Sequence, residues 1–152
     1  MQEHWQKWLH MSLLLAKTAK SLGEVPIGAV LVENNRILAT GFNQKEKLNN
    51  PLGHAELIAI QNATKRRGNW RLNNRHLFVS LEPCTMCCGA ILESRIASVT
   101  FATADKKRGG LALFQLNDQP NLNHSFSVVA EPEPTLKNES EQLLKTFFRN
   151  RR

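Results

Sequence analysis

The feature of this sequence that most restricts its fold is the alternation of strand-like and helix-like patterns through its middle. Short apolar runs bounded by turn residues predict strands at 27–32, 37–40, 77–80, 99–103 and 126–129. Apolar side chains at three- and four-residue intervals predict helices at 5–22, 54–65, 86–92 and 136–150. This alternation indicates an α/β fold in which helices flank a mixed sheet of about five strands.

The length and hydropathy of the chain limit its organisation. It has 152 residues, of which 41% are hydrophobic and 22% are charged, enough to bury one stable core. No apolar run approaches the roughly 20 residues that span a bilayer, and the N-terminal segment lacks the basic-then-apolar pattern of a signal peptide. We therefore expect a single domain over residues 1–152, located in the cytoplasm and not in a membrane.

The charge of the chain favours a polyanionic partner. Twenty Lys and Arg against thirteen Asp and Glu give a net charge of +7. The basic segments 106–108 and 149–152 are candidates for RNA binding, because the first follows a predicted strand and the second adjoins Phe147 and Phe148. An exposed aromatic ring beside guanidinium groups can stack an unpaired base while the charges hold phosphates. The basic run 65–67 is instead expected at a solvated helix end.

The cysteines point to a metal rather than to disulfides. Cys84, Cys87 and Cys88 lie within five residues, so they cannot form a disulfide framework across the fold. Cys84 and Cys87 occupy the first turn of a predicted helix, where the helix N-terminus favours thiolates, and His54 begins another helix. One imidazole and two thiolates form a three-ligand zinc set whose fourth position is open to water, as in catalytic sites.

Glu56, two residues after His54, is the candidate proton carrier. Zinc can lower the pKa of a bound water to about 7, and a carboxylate can then carry the water's proton to a leaving nitrogen. Two other interpretations remain open: Glu56 as a first-turn carboxylate that stabilises the helix dipole, and a closed structural zinc site with Cys88 as fourth ligand. For Cys88 itself, the role of a small buried hydrophobic residue is favoured.

These two segments match the H-x-E and P-C-x-x-C signature of the zinc-dependent nucleobase deaminases. The likeness extends over nearly the whole chain, at residues 25–30, 41–43, 54–56, 81–87, 94–96, 105–107, 123–124 and 147–152. In these segments the chain resembles the bacterial tRNA-specific adenosine deaminase family, within the cytidine/deoxycytidylate deaminase superfamily. Cys88, residues 111–122 and residues 131–134 depart from the usual family pattern.

The resemblance implies a cytidine-deaminase-like three-layer fold, a homodimer and one Zn²⁺ per subunit held by His54, Cys84 and Cys87. It implies hydrolytic deamination of adenosine to inosine at the wobble position of a tRNA anticodon arm, with zinc-bound hydroxide as nucleophile and Glu56 as proton shuttle. It also implies that Asn43 contacts the target base. The residues expected along the RNA-binding surface are Asp105, Lys107, Phe148 and Arg149, with His124 as a further possible contact.

Two rival functions follow from the same residues. The first is a deaminase of the same superfamily that acts on free guanine, cytosine or a nucleoside, which would need neither the net charge of +7 nor the basic end at 149–152. The second is a non-catalytic RNA-binding module with a structural zinc, which would have no use for Glu56. Both features therefore favour an RNA deaminase over its rivals.

Overall fold

The computed structural model describes the backbone of residues 2–151 and the side chains of residues 5–151. Its elements, in chain order, are α1 (Gln2–Ser21), β1 (Gly28–Glu33), β2 (Arg36–Phe42), α2 (Lys45–Leu48), α3 (Ala55–Arg67), β3 (His76–Leu81), α4 (Thr85–Glu93), β4 (Ser98–Thr103), α5 (Gly110–Phe114), β5 (Ser127–Ala130) and α6 (Pro134–Arg149). The predicted alternation of strands and helices, including the fifth strand, is confirmed.

The strands form one mixed sheet in the order β2-β1-β3-β4-β5. β1 is antiparallel to β2 and β3, whereas β3, β4 and β5 run parallel to one another. The β1–β2 hairpin turns at Asn34 and Asn35, whose φ angles of 50° and 57° are those of the turn type that matches strand twist. The sheet is therefore antiparallel at its β2 end and parallel at its β5 end.

Helices cover both faces of the sheet, so the predicted three-layer arrangement is confirmed. On one face, α3 and α4 bury Ala59 and Ile91 against alternate strand residues such as Leu31 and Val79. On the other face, α1 and α6 pack on the intervening residues, for example Leu13 against Val30. The two-residue alternation of burial along the strands gives each layer its own apolar core.

The strand ends bring several candidate residues to one edge of the sheet, called here the site edge. Because β3 and β4 are parallel, the segments that follow them, at 82–84 and 104–105, emerge at this edge. β1 runs the opposite way and starts there, and β2 ends there, opposite Gly28, immediately before Asn43. The N-termini of α3 and α4 lie at the same edge, because each helix follows one of these segments.

A close contact between β2 and α3 fixes the start of that helix. A Cβ atom at Gly41 would lie 2.3 Å from the backbone oxygen of Ala55 and 2.7 Å from the backbone nitrogen of Ala59. Only the absence of a side chain allows the strand and the helix to approach this closely. Gly41 therefore sets the position of the first turn of α3, which carries His54 and Glu56.

Three features of the fold differ from the sequence-based expectations. Two short helices, α2 and α5, were not among the predicted elements, because they are too short for their apolar spacing to be read as helical. The last helix begins two residues earlier than predicted, at Pro134, where the Glu133 side chain accepts the N–H of Thr135 and Pro134 occupies the first turn. Among the described helices, none is long and apolar enough to cross a membrane.

Candidate metal centre and active site

The structure brings the three predicted metal ligands together. His54 and Cys84 are the N-cap residues of α3 and α4, and Cys87 lies in the first turn of α4. The Nδ1 atom of His54 is 3.6 Å from the Sγ atom of Cys84 and 3.5 Å from that of Cys87. All three donor atoms lie within 4.8 Å of one another. Two helix starts on neighbouring segments thus converge on one point.

This donor set fits zinc. Tetrahedral zinc bonds of about 2.1 Å to nitrogen and about 2.3 Å to sulfur separate the two donor atoms by about 3.6 Å, which is the separation observed. Two thiolates and one imidazole are also the borderline-soft donors that zinc prefers. Three protein ligands leave the fourth tetrahedral position open, which is the arrangement of catalytic zinc sites.

Cys88 does not complete a closed site. It is fully buried in the core under α4, and its Sγ atom is 3.6 Å from the backbone oxygen of Pro83. The group of potential ligands found among the described residues contains His54, Cys84 and Cys87 without it. The alternative of Cys88 as a fourth ligand is therefore wrong, and its role as a small core residue is confirmed.

The three ligands form one proton-sharing group. The hydrogen bond from the Cys87 thiol, assisted by His54, lowers the pKa of Cys84 to about 3. The same hydrogen bond and burial raise the pKa of Cys87. The hydrogen bond with Cys84 also raises the pKa of His54 above 6.5, against the opposing effect of burial. A divalent cation bound here would take the place of these protons.

Glu56 lies beside this group in the first turn of α3, and only 4% of its surface is exposed. Burial raises the pKa of its carboxyl group, and the negative charge of Cys84 adds to the effect. A carboxyl group whose pKa is raised by burial holds a proton more readily than an exposed one, which suits a group that accepts and returns protons. The dipole-stabilising role alone does not explain a carboxylate that is buried against metal ligands.

Asn43 lies at the site edge, immediately after β2, and is buried. Its Oδ1 atom accepts the backbone N–H of Ala55 at 2.8 Å, which ties the end of β2 to the start of α3. The oxygen of the side-chain amide is thus engaged within the protein, and its NH₂ group is the part that can donate to a ligand.

Two residues expected on the RNA-binding surface lie in the basic loop, residues 105–110, which follows β4. Lys107 is exposed. The Asp105 carboxylate accepts the backbone N–H groups of Lys107 and Arg108 at 3.2 and 3.1 Å, so it shapes the loop that carries the cations. The basic side chains of this loop therefore project from a turn that is closed by its own aspartate.

The end of α6 carries the other two expected residues. Phe148 is 50% exposed and Phe147 only 6%, which confirms the prediction that Phe148 is the exposed member of the pair. Arg149 is exposed as well. Arg151 was also a candidate cation, but it packs over the Phe147 ring at 4.5 Å and donates to the backbone oxygen of Gly23. It anchors the helix end to the end of α1.

His124 is not part of the site, so its possible role as a pocket contact is not supported. Its Nε2 atom is 2.7 Å from the backbone oxygen of Ile96, just before β4 begins and therefore at the edge of the sheet opposite the site edge. The hydrogen bond instead secures the connection between α5 and β5.

Two buried carboxylates at the site edge were not singled out from the sequence. Glu24 accepts the backbone N–H groups of Glu46 and Lys47 at 3.1 and 2.9 Å and so holds α2 in the loop that leads to His54. Glu82, two residues before Cys84, accepts two backbone N–H groups from the other side of the site. The available signal was a charged residue placed between apolar neighbours, as in the segment Leu81-Glu82-Pro83.

Comparison with known proteins agrees with this geometry. Residues 2–103 match the model of the cytidine and deoxycytidylate deaminase zinc-binding region. The chain belongs to this family of zinc-binding deaminases, and the resemblance inferred from the motifs is confirmed.

Relatives within the family carry a narrower name. The chain is 43% identical over 149 residues to the tRNA-specific adenosine deaminase of Haemophilus influenzae, which covers 97% of this chain and 84% of the relative. It is 39% identical over 146 residues to the enzyme of that name from Aquifex aeolicus, and this match covers 95% of this chain and 94% of the relative. A solved structure from a study of tRNA:A34 deaminases superposes with a TM-score of 0.83 at 34% identity. The superposition covers 91% of this chain and 99% of the solved one. Guanine deaminase from Nitrosomonas europaea, at 20% identity and a TM-score of 0.75, shares the fold.

Proposed function

We propose that this protein is a zinc-dependent deaminase that converts adenosine to inosine at the wobble position of a tRNA anticodon. One observation carries the proposal: a three-ligand donor set lies beside the buried carboxyl group of Glu56. The relatives that carry the name tRNA-specific adenosine deaminase, at 37–43% identity over most of the chain, support the choice of substrate.

The chemistry divides between the metal and Glu56. His54, Cys84 and Cys87 would hold the zinc ion, which would supply a Lewis acid that makes water a nucleophile near neutral pH. Glu56 accepts the two protons of the attacking water in turn and returns one to a purine ring nitrogen and the other to the amino group, which leaves as ammonia. The oxygen of the water stays on the ring, the C–N bond breaks, and the carboxyl group ends in its starting state.

The surrounding residues select and hold the base. The target adenine must leave the base stack of the anticodon to reach the zinc site at the site edge. The NH₂ group of Asn43 donates a hydrogen bond to the extruded base, because the amide oxygen is engaged with Ala55. Phe148 offers an exposed ring for stacking a neighbouring base, and Lys107 and Arg149 offer cations for phosphates.

The proposal includes a homodimer in the cytoplasm. The support is the family resemblance, together with apolar side chains that the single chain leaves uncovered on α5, where Leu113 and Phe114 are 47% and 56% exposed. Apolar surface of this kind is common at subunit interfaces. Asp105 is proposed at the edge of the RNA surface, where it orders the basic loop.

The test is incubation of the protein with an anticodon stem-loop that carries adenosine at the wobble position, followed by nucleoside analysis. Inosine should form at that position, whereas free adenosine should be nearly inert, because binding energy from remote phosphates and stacked bases is needed to position the target. Faster deamination of free guanine or cytosine than of the stem-loop would replace this proposal with the small-molecule deaminase.

The matched variant is Glu56→Gln, which keeps the size of the side chain and removes its proton chemistry. Zinc content and stem-loop affinity should stay at the wild-type level, while turnover falls by at least about 10²- to 10⁴-fold. Turnover close to wild type would contradict the role of Glu56 and would favour a structural zinc.

A further inference from the structure

Glu82 is a buried carboxylate that joins the basic loop to the metal-ligand segment. It follows β3 and precedes Cys84 by two residues, and it is only 4% exposed. Its Oε1 atom accepts the backbone N–H of Asp105 at 3.2 Å, and its Oε2 atom accepts that of Ala112 at 2.9 Å. One side chain therefore binds the chain at the start of the basic loop and again just past its end.

Further contacts press the loop onto the segment that carries Cys84. The backbone N–H of Gly110 donates to the oxygen of Pro83 at 2.9 Å, and Gly109 forms an isolated antiparallel bridge with Cys84. A Cβ atom at Gly109 would lie 1.8 Å from the Oε2 atom of Glu82, so the carboxylate occupies the space that this glycine leaves. The loop and the metal-ligand segment are thus held together by backbone contacts as well as by the Glu82 side chain.

The loop carries three adjacent cations, Lys106, Lys107 and Arg108, and all three residues are exposed. None of them forms an ion pair with a residue whose side chain is described. This loop also contains two consecutive glycines, which leave its backbone conformationally free. The three unpaired cations can bind phosphates at defined positions only if another part of the protein holds that backbone in place. The Glu82 carboxylate holds it in place through its two hydrogen bonds to backbone N–H groups.

We propose that Glu82 is a positioning residue for RNA recognition: it holds the basic loop against the Cys84 segment, so that Lys106, Lys107 and Arg108 meet RNA phosphates at a fixed distance from the metal centre. This inference rests on the proposed function, since it assumes an RNA substrate. Glu82 touches neither the substrate nor the metal and acts through the loop.

The decisive variant is Glu82→Gln. A carboxylate accepts two N–H groups, whereas glutamine presents one oxygen and one NH₂ group, so only one of the two hydrogen bonds to the loop can form. Zinc should remain at one per chain, and KM for the stem-loop should rise about tenfold or more, with a smaller change in kcat. The plot of log affinity against log salt should become flatter by about 0.7 for each phosphate that the loop no longer binds.

Glu24→Gln is the matched control. Glu24 is also a buried carboxylate with two backbone N–H partners, but these belong to α2 and not to the basic loop. The Glu24→Gln variant should lose about as much thermal stability as Glu82→Gln. It should keep the wild-type slope of log stem-loop affinity against log salt, called here the salt slope. A role of Glu82 in stability alone predicts the same unchanged slope for Glu82→Gln, and that result would overturn the proposal.

A second variant keeps the carboxylate and displaces it. Gly109→Ala introduces a Cβ atom that would lie 1.8 Å from the Oε2 atom of Glu82 and 2.5 Å from the backbone oxygen of Asp105, so it forces the carboxylate and the loop apart without an unfavourable backbone angle, since the φ of Gly109 is −63°. It should retain zinc and flatten the salt slope as Glu82→Gln does. This variant decides the question if Glu82→Gln does not fold, and a wild-type slope in Gly109→Ala would then count against the proposal.

A double-mutant cycle identifies the loop as the route. The loop variant Lys106→Gln, Lys107→Gln, Arg108→Gln removes the charges that Glu82 is inferred to position. Adding Glu82→Gln to it should cause no further decrease in stem-loop affinity, because both changes act on the same phosphate interactions. Additive decreases would overturn the inference. Failure of the proposed function would give a different result. The wild-type protein would then form no inosine in the stem-loop, whatever salt slopes the variants show.

Discussion

At the scale of single residues, three buried glutamates differ in what surrounds the carboxylate. Glu24 and Glu82 each accept two backbone N–H groups and thereby hold loops. Glu56 is buried to the same extent, but it lies against the thiol groups of the metal centre, and burial raises its pKa. Burial alone does not separate a reacting carboxylate from a structural one, whereas its hydrogen-bond partners do.

The three cysteines should respond differently to replacement by alanine. Cys84→Ala and Cys87→Ala should each lose zinc and, because metal binding is coupled to folding, some stability as well. Cys88→Ala should keep one zinc per chain and lower the free energy of unfolding by only about 1 kcal/mol, through a small cavity. Metal analysis and thermal unfolding of the three variants measure this. A Cys88→Ala protein without zinc would contradict the ligand assignment.

The two adjacent phenylalanines separate folding from binding. Phe147→Ala should lower the free energy of unfolding by about 3–5 kcal/mol, since that ring is buried and packed under Arg151. Phe148→Ala should cost only about 1 kcal/mol of stability, because its ring is 50% exposed and its main aromatic contact is the T-shaped one with Phe147 at 5.3 Å, and it should weaken stem-loop binding by about 1–3 kcal/mol if the ring stacks a base. Thermal melting and a binding titration distinguish the two. Unchanged affinity in Phe148→Ala would exclude the stacking role.

At the scale of elements, the contact between β2 and α3 determines where His54, the proposed metal-binding histidine, lies. Gly41→Ala should displace the first turn of α3, cost about 1–3 kcal/mol of stability and weaken zinc binding, because His54 is the residue before that turn. The control is Gly89→Ala in α4, where an added Cβ meets no atom within 4 Å. It should stabilise the protein by about 0.5–1 kcal/mol. Zinc titration and melting of both variants test this.

The pairing of β3 with β4 contains a histidine that makes stability depend on pH. Burial lowers the pKa of His76 below 6.5, and its Nδ1 atom is 2.6 Å from the Oγ atom of Ser98 on β4. Below about pH 6.5 the unfolded chain binds this proton more readily than the folded one, so stability falls as the pH falls.

His76→Gln should therefore lose less stability than the wild type between about pH 7.5 and about pH 5.5. Chemical denaturation at a series of pH values measures the difference, and His10→Gln, at an exposed position of α1, is the control. A His76→Gln profile parallel to that of the wild type would contradict the assignment.

At the scale of the whole molecule, the net charge of +7 is not concentrated at the metal centre. Arg36, Lys65 and Arg71 lie around the hairpin turn and the C-terminal end of α3, at the edge opposite the site edge. There Arg66 donates to the oxygen of Leu38 at 3.0 Å, and other cations are paired, so this basic surface is partly structural. Position, not total charge, should therefore decide the contribution of each cation to RNA binding.

Two variants with the same change in charge test this. Neutralising Lys106, Lys107 and Arg108 should weaken stem-loop binding and flatten its salt dependence by about 0.7 for each phosphate that is no longer bound. Neutralising Arg36, Lys65 and Arg71 should leave the slope and the editing rate close to wild type. Equal effects from the two variants would mean that only long-range attraction by net charge matters.

The sequence by itself was enough to predict the three layers, the three candidate metal ligands that the structure brings together and the exposure of Phe148. The layers follow from the alternation of strand and helix patterns along the chain, and the grouping of the ligands from short-range spacing, because a separation of three places Cys84 and Cys87 on one helix turn. The exposure of Phe148 followed from the resemblance of the C-terminal segment to the family.

Only the tertiary structure showed that Glu24 and Glu82 are buried loop anchors, that Arg151 fastens the end of α6 to Gly23, and that His124 lies away from the site. The hydrogen bonds of these four residues join positions that are far apart in the sequence. The separations are 22 residues for Glu24, 23 and 30 for Glu82, 128 for Arg151 and 28 for His124. Local patterns cannot encode them, because the partner of a buried polar group is decided by which loops the sheet brings to the same edge.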